Sequence, residues 1–142
     1  MSRLYLDSNV FFYAKIMDRT FGMDCARVLR SVSSGETKAS ISTLVPLEVA
    51  NAMSKFGLGP EAPEEIRAIF SLGLEVYPVE STDVREVAET VGGGAASVHD
   101  CTHAVVMRRY GIREVVSADK DFDKFPWVNR IDPRDFEPRT QG

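Results

Sequence analysis

Short apolar runs of strand character alternate along this chain with longer stretches of helical period, and that alternation constrains the fold more than any other feature of the sequence. Strand-like runs occur at Arg3–Leu6, Lys38–Ser42, Leu74–Val79, Glu114–Ser117 and Val128–Ile131, with helical material between the first four. Strands separated by helices pair side by side in parallel, because the crossover packs back onto the sheet. The expectation is an α/β chain: a three-layer α/β/α domain over residues 1–136, with a central parallel sheet of about four to five strands and a polar tail at 137–142.

The helical segments carry recognisable starts and stops. Val10–Ile16 and Cys25–Val32 predict a helical hairpin that turns at Asp18–Gly22. Thr43 is the expected cap of a helix in which Leu44, Leu47, Ala50, Asn51 and Ser54 share a face, with Pro46 in its first turn, Glu48 one turn inside and Gly57 as its stop. A short helix over Glu64–Leu72 follows, then one capped by Ser81 or Thr82 that runs to Val91. Gly92-Gly93-Gly94 reads as a flexible loop rather than a phosphate cradle, since no nucleotide-loop pattern surrounds it. Ser97 then caps a helix to Tyr110 that is apolar nearly all round and so belongs at the centre of the molecule.

Composition matters here for what it excludes. No apolar run reaches the roughly 20 residues of a membrane helix, and residues 1–10 lack the basic and apolar regions of a secretory leader, so a cytoplasmic protein without a membrane role is expected. Cys25 and Cys101 sit among apolar residues of predicted helices, where buried free thiols are the usual state. There are 17 basic and 21 acidic residues. With Asp7, Glu48, Asp100 and Asp119 set aside, 17 acids balance 17 bases, so the excess charge equals those four carboxylates.

Each of the four lies at the carboxyl end of a predicted strand or in the first turns of a helix near one, the edge where open α/β sheets bind ligands. Convergence there would set like charges a few ångström apart, an arrangement that calls for a shared proton or a cation. Oxygen-only ligands favour Mg²⁺ or Mn²⁺. Such an ion between carboxylates promotes in-line attack of water on a phosphodiester, so hydrolysis of nucleic acid is the leading chemistry.

Leu4-Tyr5-Leu6-Asp7-Ser8-Asn9-Val10, Pro46-Leu47-Glu48-Val49-Ala50, the Asp100 helix and Val115-Val116-Ser117-Ala118-Asp119-Lys120-Asp121-Phe122-Asp123 together resemble the PIN-domain family, most closely its VapC-type toxins of toxin–antitoxin pairs. The likeness spans nearly the whole chain in the family's order. It implies a PIN-like fold and a metal-dependent endoribonuclease acting on RNA. It further implies that Asp7 and Asp100 contact the Mg²⁺ or Mn²⁺ ion, Glu48 orients the attacking water, and Asp119 completes the pocket, with Asp121 and then Asp123 as alternatives. Ser117 resembles the family's hydroxyl that hydrogen-bonds a site carboxylate. A small antitoxin that inserts an Arg or Lys among the carboxylates, and a homodimer, are the partners this likeness implies.

Other readings use the same residues. Asp7 and Asp100 can be helix caps, and Asp119–Asp123 a solvated loop. His99 and His103, spaced i and i+4 around Asp100, resemble a zinc-hydrolase pair, but the chain has no third His to complete the ligand set. Their plainer reading puts His99 at the rim of the site and His103 in a core contact, both replaceable without loss of cleavage. Asp7 could serve as a phosphoryl-transfer nucleophile, against which stands Asn9 where that chemistry uses a second Asp. A PIN nuclease of RNA processing outside a toxin system is a further possibility, as is a PIN-like scaffold that binds without cutting. The apolar surplus in Val10–Tyr13 and Lys55–Leu58 suggests a protein-contact surface, and Arg3, Lys15, Arg19, Lys38, Lys55, Arg108, Arg109, Lys120 and Lys124 are the cations available for a phosphate backbone.

Overall fold

A computed structural model describes residues 3–94 and 96–138. Its centre is β1 (Leu4–Leu6), every residue of which is buried. On one side β1 pairs with β2 (Ala39–Ser42) and β2 with β3 (Glu75–Tyr77); on the other it pairs with β4 (Glu114–Val116) and β4 with β5 (Asn129–Ile131). All four pairings are parallel, giving a five-stranded sheet of order β3-β2-β1-β4-β5. β1 and β2 are covered throughout and β4 at Val115 and Val116, whereas the edge strands β3 and β5 are partly exposed.

Six α-helices among the described residues supply the crossovers. α1 (Ser8–Ile16) and α2 (Gly22–Ser33) join β1 to β2, and α3 (Leu44–Lys55) and α4 (Ala62–Phe70) join β2 to β3. α5 (Ser81–Gly92) and α6 (Val98–Arg109) carry the chain from the β3 edge past the sheet centre to β4. The expected three-layer arrangement is therefore present. The tight α1–α2 turn depends on Gly22, because a Cβ there would lie 2.6 Å from the Met17 carbonyl carbon. Met17 closes α1 with φ 50°, and Asp18 Oδ2 accepts the Thr20 and Phe21 N–H groups.

α6 is the buried helix its composition suggests, covered at every residue from Asp100 to Met107. Both cysteines are free and buried, and burial pushes the Cys25 thiol up to about 12. No helix among the described residues is long and apolar enough to cross a membrane.

The structure corrects three local expectations. α3 buries Val45, Val49 and Met53 and leaves Leu47 68% exposed, so the face expected around Leu47, Asn51 and Ser54 points to solvent. Two apolar stripes were available on this helix, and docking against α1, α4 and α6 chose between them. Neither Ser81 nor Thr82 caps α5: Glu80 does, in a reciprocal capping box with Asp83. Thr43 does stand at the N-cap position of α3, but its side chain makes no capping bond; its hydroxyl instead accepts the Val79 N–H at 3.2 Å. Gly92 ends α5 and Gly94 takes φ 81°, while Ala95 and residues 139–142 of the expected polar tail lie outside the described residues.

Candidate active site

The site grows out of the β1–β4 register. Leu6 pairs with Val116, so the next residues, Asp7 and Ser117, emerge side by side where the strands end. Connections leave β1 and β4 in opposite directions across the sheet, and the crevice at such a switch point is the usual ligand position of open α/β folds. Ser117 Oγ donates to Asp7 Oδ2 at 2.7 Å, the Ser8 N–H donates to Asp7 Oδ1 at 2.7 Å, and Asn9 Nδ2 donates to Asp7 Oδ2 at 3.1 Å. Asp7 thus caps α1 and faces the crevice at once.

Glu48 enters from α3 and reaches the fully buried His103 of α6, with Oε1 at 2.6 Å from Nε2. The same Nε2 lies 3.7 Å from Asp7 Oδ1. His99 Nδ1 stands 3.4 Å from the other Glu48 oxygen at the exposed rim. Ligand atoms of Asp7, Glu48 and His103 all lie within 4.8 Å of one another. Those of Asp100, Asp119 and Asp121 form a second group of the same span. Asp100 stands in the first turn of α6, its backbone N–H bonded to Ser97 Oγ at 3.2 Å. Asp119 is placed by its N–H to Ser117 Oγ at 2.9 Å and by the Asp121 N–H at 2.9 Å.

Asp7, Glu48, Asp100 and Asp119 are therefore brought to one sheet edge, with Ser117 between Asp7 and Asp119 and with Asp121 beside Asp100. Asp123 is turned away, its carboxylate bonded to Arg130 at 3.1 Å. His99 belongs to neither potential ligand group among the described residues, so the two imidazoles do not assemble as a zinc pair. His103 is also more than a core contact, since it bonds directly to Glu48.

The electrostatics show crowded negative charge. Burial pushes the Asp100 carboxyl up to about 6, with the Asp119 and Asp7 charges adding to the effect. Asp7 is likewise raised by burial, against the opposing pull of His103 and the Ser117 hydrogen bond. For Glu48, burial acts upward, but the hydrogen bond and charge of His103 outweigh it and hold the carboxyl below its ordinary value. Burial lowers His103, but the Glu48 hydrogen bond and the Asp7 and Glu48 charges outweigh this and raise it. A set of hard oxygen donors in which two carboxyls, those of Asp7 and Asp100, resist ionisation fits a divalent cation, whose charge would relieve that repulsion.

Sequence reasoning missed Tyr5, Asn9, Ser42 and the role of His103. The signals were local: period-two alternation sets Tyr5 on the same side of β1 as Asp7, and His103 follows Asp100 by one helical turn. Among the candidate cations, Arg3, Lys15, Arg108, Arg109 and Lys124 are engaged in ion pairs, while Arg19, Lys38, Lys55 and Lys120 make none among the described residues. The apolar surplus of α1 and α3 meets in one place. Phe12 packs edge-on against Phe56 at 5.7 Å between ring centroids, and Phe56 remains 60% exposed.

Comparison with known proteins gives consistent likenesses. The sequence profile of the PIN domain matches residues 4–128. The chain is 26% identical over 129 residues to a VapC ribonuclease of Mycobacterium bovis and, to the same extent, to ribonuclease VapC13 of Mycobacterium tuberculosis, covering 90% of this chain and 98% of each relative. Among solved structures, VapC20 of Mycobacterium tuberculosis, a sarcin-ricin loop cleaving toxin, superposes with TM-score 0.73 at 17% identity, over 84% of this chain and 92% of that one. A DNA-bound VapBC of Salmonella typhimurium gives TM-score 0.68 at 17% identity, over 94% of this chain and 99% of that one.

Proposed function

This chain belongs to the PIN-domain family, and from that premise we propose that it is a Mg²⁺- or Mn²⁺-dependent endoribonuclease, the toxin of a VapBC-type toxin–antitoxin pair. One observation carries the reading: at the switch-point crevice Asp7 and Glu48 meet beside His103, Asp100 and Asp119 form a second acidic group, and the two are near enough that the Asp119 and Asp7 charges both act on Asp100. Stability alone gives little reason to bury Asp7 and Asp100 among these acids, since both carboxyls are pushed toward the neutral form there. The relatives named as VapC ribonucleases support the same activity.

By likeness to the family, Asp7 and Asp100 would hold the ion, with Asp119 and the half-exposed Asp121, which group with Asp100, completing the pocket. A divalent ion bound there supplies Lewis-acid stabilisation of the charge that builds on a phosphodiester during hydrolysis. The chain's own residues do the rest. Ser117, Ser8 and Asn9 fix both Asp7 oxygens, so that carboxylate meets its ligand without reorganisation. Glu48, ionised below the usual carboxylate range, accepts a hydrogen bond from the attacking water and turns it toward phosphorus in line with the leaving oxygen. Residues 1–136 act as one cytoplasmic nuclease domain in this reading, and exposed cations such as Lys55 and Lys120 are candidates for contact with the RNA backbone.

The Phe12–Phe56 patch, on α1 and at the end of α3, the helices that begin at Asp7 and carry Glu48, supports an antitoxin partner that lays an apolar segment there and inserts a cation among the carboxylates. Incubation of the purified protein with structured and unstructured RNA, in Mg²⁺, in Mn²⁺ and in chelator, tests the nuclease. Cleavage in Mg²⁺ or Mn²⁺ and not in chelator is expected; its absence with both ions, or its survival in excess chelator, refutes the reading. A small co-encoded protein that suppresses cleavage separates the toxin from a PIN nuclease of RNA processing. Sedimentation checks the homodimer.

A further inference from the structure

Beneath the carboxylates runs a line of buried hydrogen bonds that the nuclease reading does not use. Tyr5, at the middle of β1, is fully buried, and its hydroxyl lies 2.6 Å from His103 Nδ1 and 2.8 Å from Ser42 Oγ. The Ser42 N–H donates to the same phenolic oxygen at 3.2 Å. On the far side of the imidazole, Nε2 meets Glu48 Oε1 at 2.6 Å. Ser42 ends β2, Tyr5 lies in β1, His103 in α6 and Glu48 in α3, so one chain of bonds joins four elements of the fold. Both ring nitrogens of His103 are engaged, and the ring is wedged edge-on to Tyr5 and against Phe122 at centroid distances of 5.5 and 6.1 Å. Turning the imidazole would leave two polar groups unpaired where water does not reach.

We propose that His103 is a positioning residue for Glu48: anchored by Tyr5 and Ser42 at one nitrogen, it holds one Glu48 oxygen at the other and so aims the carboxylate beside Asp7. The proposal rests on the nuclease reading for the water that Glu48 serves. A glutamate has three side-chain torsions, and an untethered Glu48 on α3, 17% exposed at its side chain, could swing its carboxylate toward solvent. With Oε1 tied to His103, Oε2 is left at the mouth of the crevice, where exposed His99 Nδ1 stands 3.4 Å away. Neither Tyr5 nor His103 need touch RNA. A role for His103 as a metal ligand would compete, because its Nε2 groups with oxygens of Asp7 and Glu48, but that nitrogen already bonds Glu48.

Three measurements on the full chain test this. Tyr5→Phe keeps the ring and removes the hydroxyl; it is expected to lower kcat for RNA cleavage by about tenfold, leave KM and Mn²⁺ affinity within about threefold, and cause no further loss in a Glu48→Gln background. His103→Gln, whose amide can still donate to Glu48, should retain more activity than the apolar His103→Leu. The ¹⁵N-histidine spectrum reads the bond without any cleavage assay. The chain has two histidines and His99 is exposed, so the slowly exchanging ring N–H belongs to His103, and it should shift in both Glu48→Gln and Tyr5→Phe. Wild-type kcat in Tyr5→Phe, equal activity of the Gln and Leu variants, losses that add in the double variant, or a ring signal indifferent to Glu48→Gln each overturns the proposal. A Mn²⁺ affinity reduced more than about tenfold in His103→Gln makes His103 a ligand and also overturns it. If the wild type cleaves no RNA while the ring signal responds to Glu48, the nuclease reading is what has failed.

Discussion

Replacing Asp100 with Asn should stabilise the metal-free protein while abolishing its activity. Burial and the Asp119 and Asp7 charges raise the Asp100 carboxyl from 3.8 to about 6, so the folded state holds its proton more tightly than the unfolded chain does. Between those two values the folded state binds the extra proton, and stability therefore falls as pH rises from about 4 to about 6; above 6 the whole penalty is present. At 1.36 kcal/mol per pH unit the interval is worth about 3 kcal/mol. The amide of Asn mimics the protonated acid but adds donors that need partners, at about 1 kcal/mol, and it gives up a favourable charge at a helix N-terminus worth about 0.5 kcal/mol. The net gain is about 1–2 kcal/mol at pH 7.5, a rise in Tm of about 3–6 °C for a chain of this size. Thermal unfolding of both proteins in chelator at pH 7.5 and 4.5 reads it: the variant should lead at the higher pH, and the lead should close at the lower. Mg²⁺ at a hundred times its Kd should reverse the order, because it adds about 2.7 kcal/mol to the wild type alone. A variant less stable in chelator, a gap unchanged by pH, or an equal response to Mg²⁺ would make Asp100 a plain helix-cap acid and refute the reasoning.

Glu48→Gln should reduce RNA cleavage by about 100-fold or more with the fold intact, checked by single-turnover kinetics beside circular dichroism. Gly22→Ala should destabilise by about 2 kcal/mol or more in urea unfolding, since the new Cβ would lie 2.6 Å from the Met17 backbone and something must shift. Asp83→Ala breaks a buried pairing with Arg109, at 2.7 and 2.9 Å, together with the α5 capping box; a loss of about 2–3 kcal/mol is expected. Its cleavage activity should match the wild type where folded, because Arg109 sits at the opposite end of α6 from Asp100.

Much of the architecture was legible before any coordinates. The alternation of strand runs with helical stretches implied parallel pairing, and five strands appear within a few residues of their expected places because β propensity and burial acted together there. The four carboxylates stood out because each followed a strand end or opened a helix, and in a parallel sheet those ends lie along one edge. What local pattern left open was orientation. α3 carries apolar residues on two stripes, so its period did not reveal that Val45, Val49 and Met53 face inward and Leu47 outward. The acid-rich run after β4 offered Asp119 first, with Asp121 and then Asp123 behind it, and only the short helical turn at Lys120–Lys124 sent Asp121 toward Asp100 and Asp123 toward Arg130.

The sequence by itself determined the fold class and singled out the acidic residues that gather along one edge of the sheet. Tertiary structure alone decided that Tyr5, His103 and Glu48, separated by up to 98 positions along the chain, form one buried line. Period and propensity describe a residue's relation to its near neighbours, whereas a hydrogen bond between strand, helix and helix depends on how those elements dock. Docking is set by the packing of the whole core, in which a polar side chain is tolerated only where a partner from another element meets it.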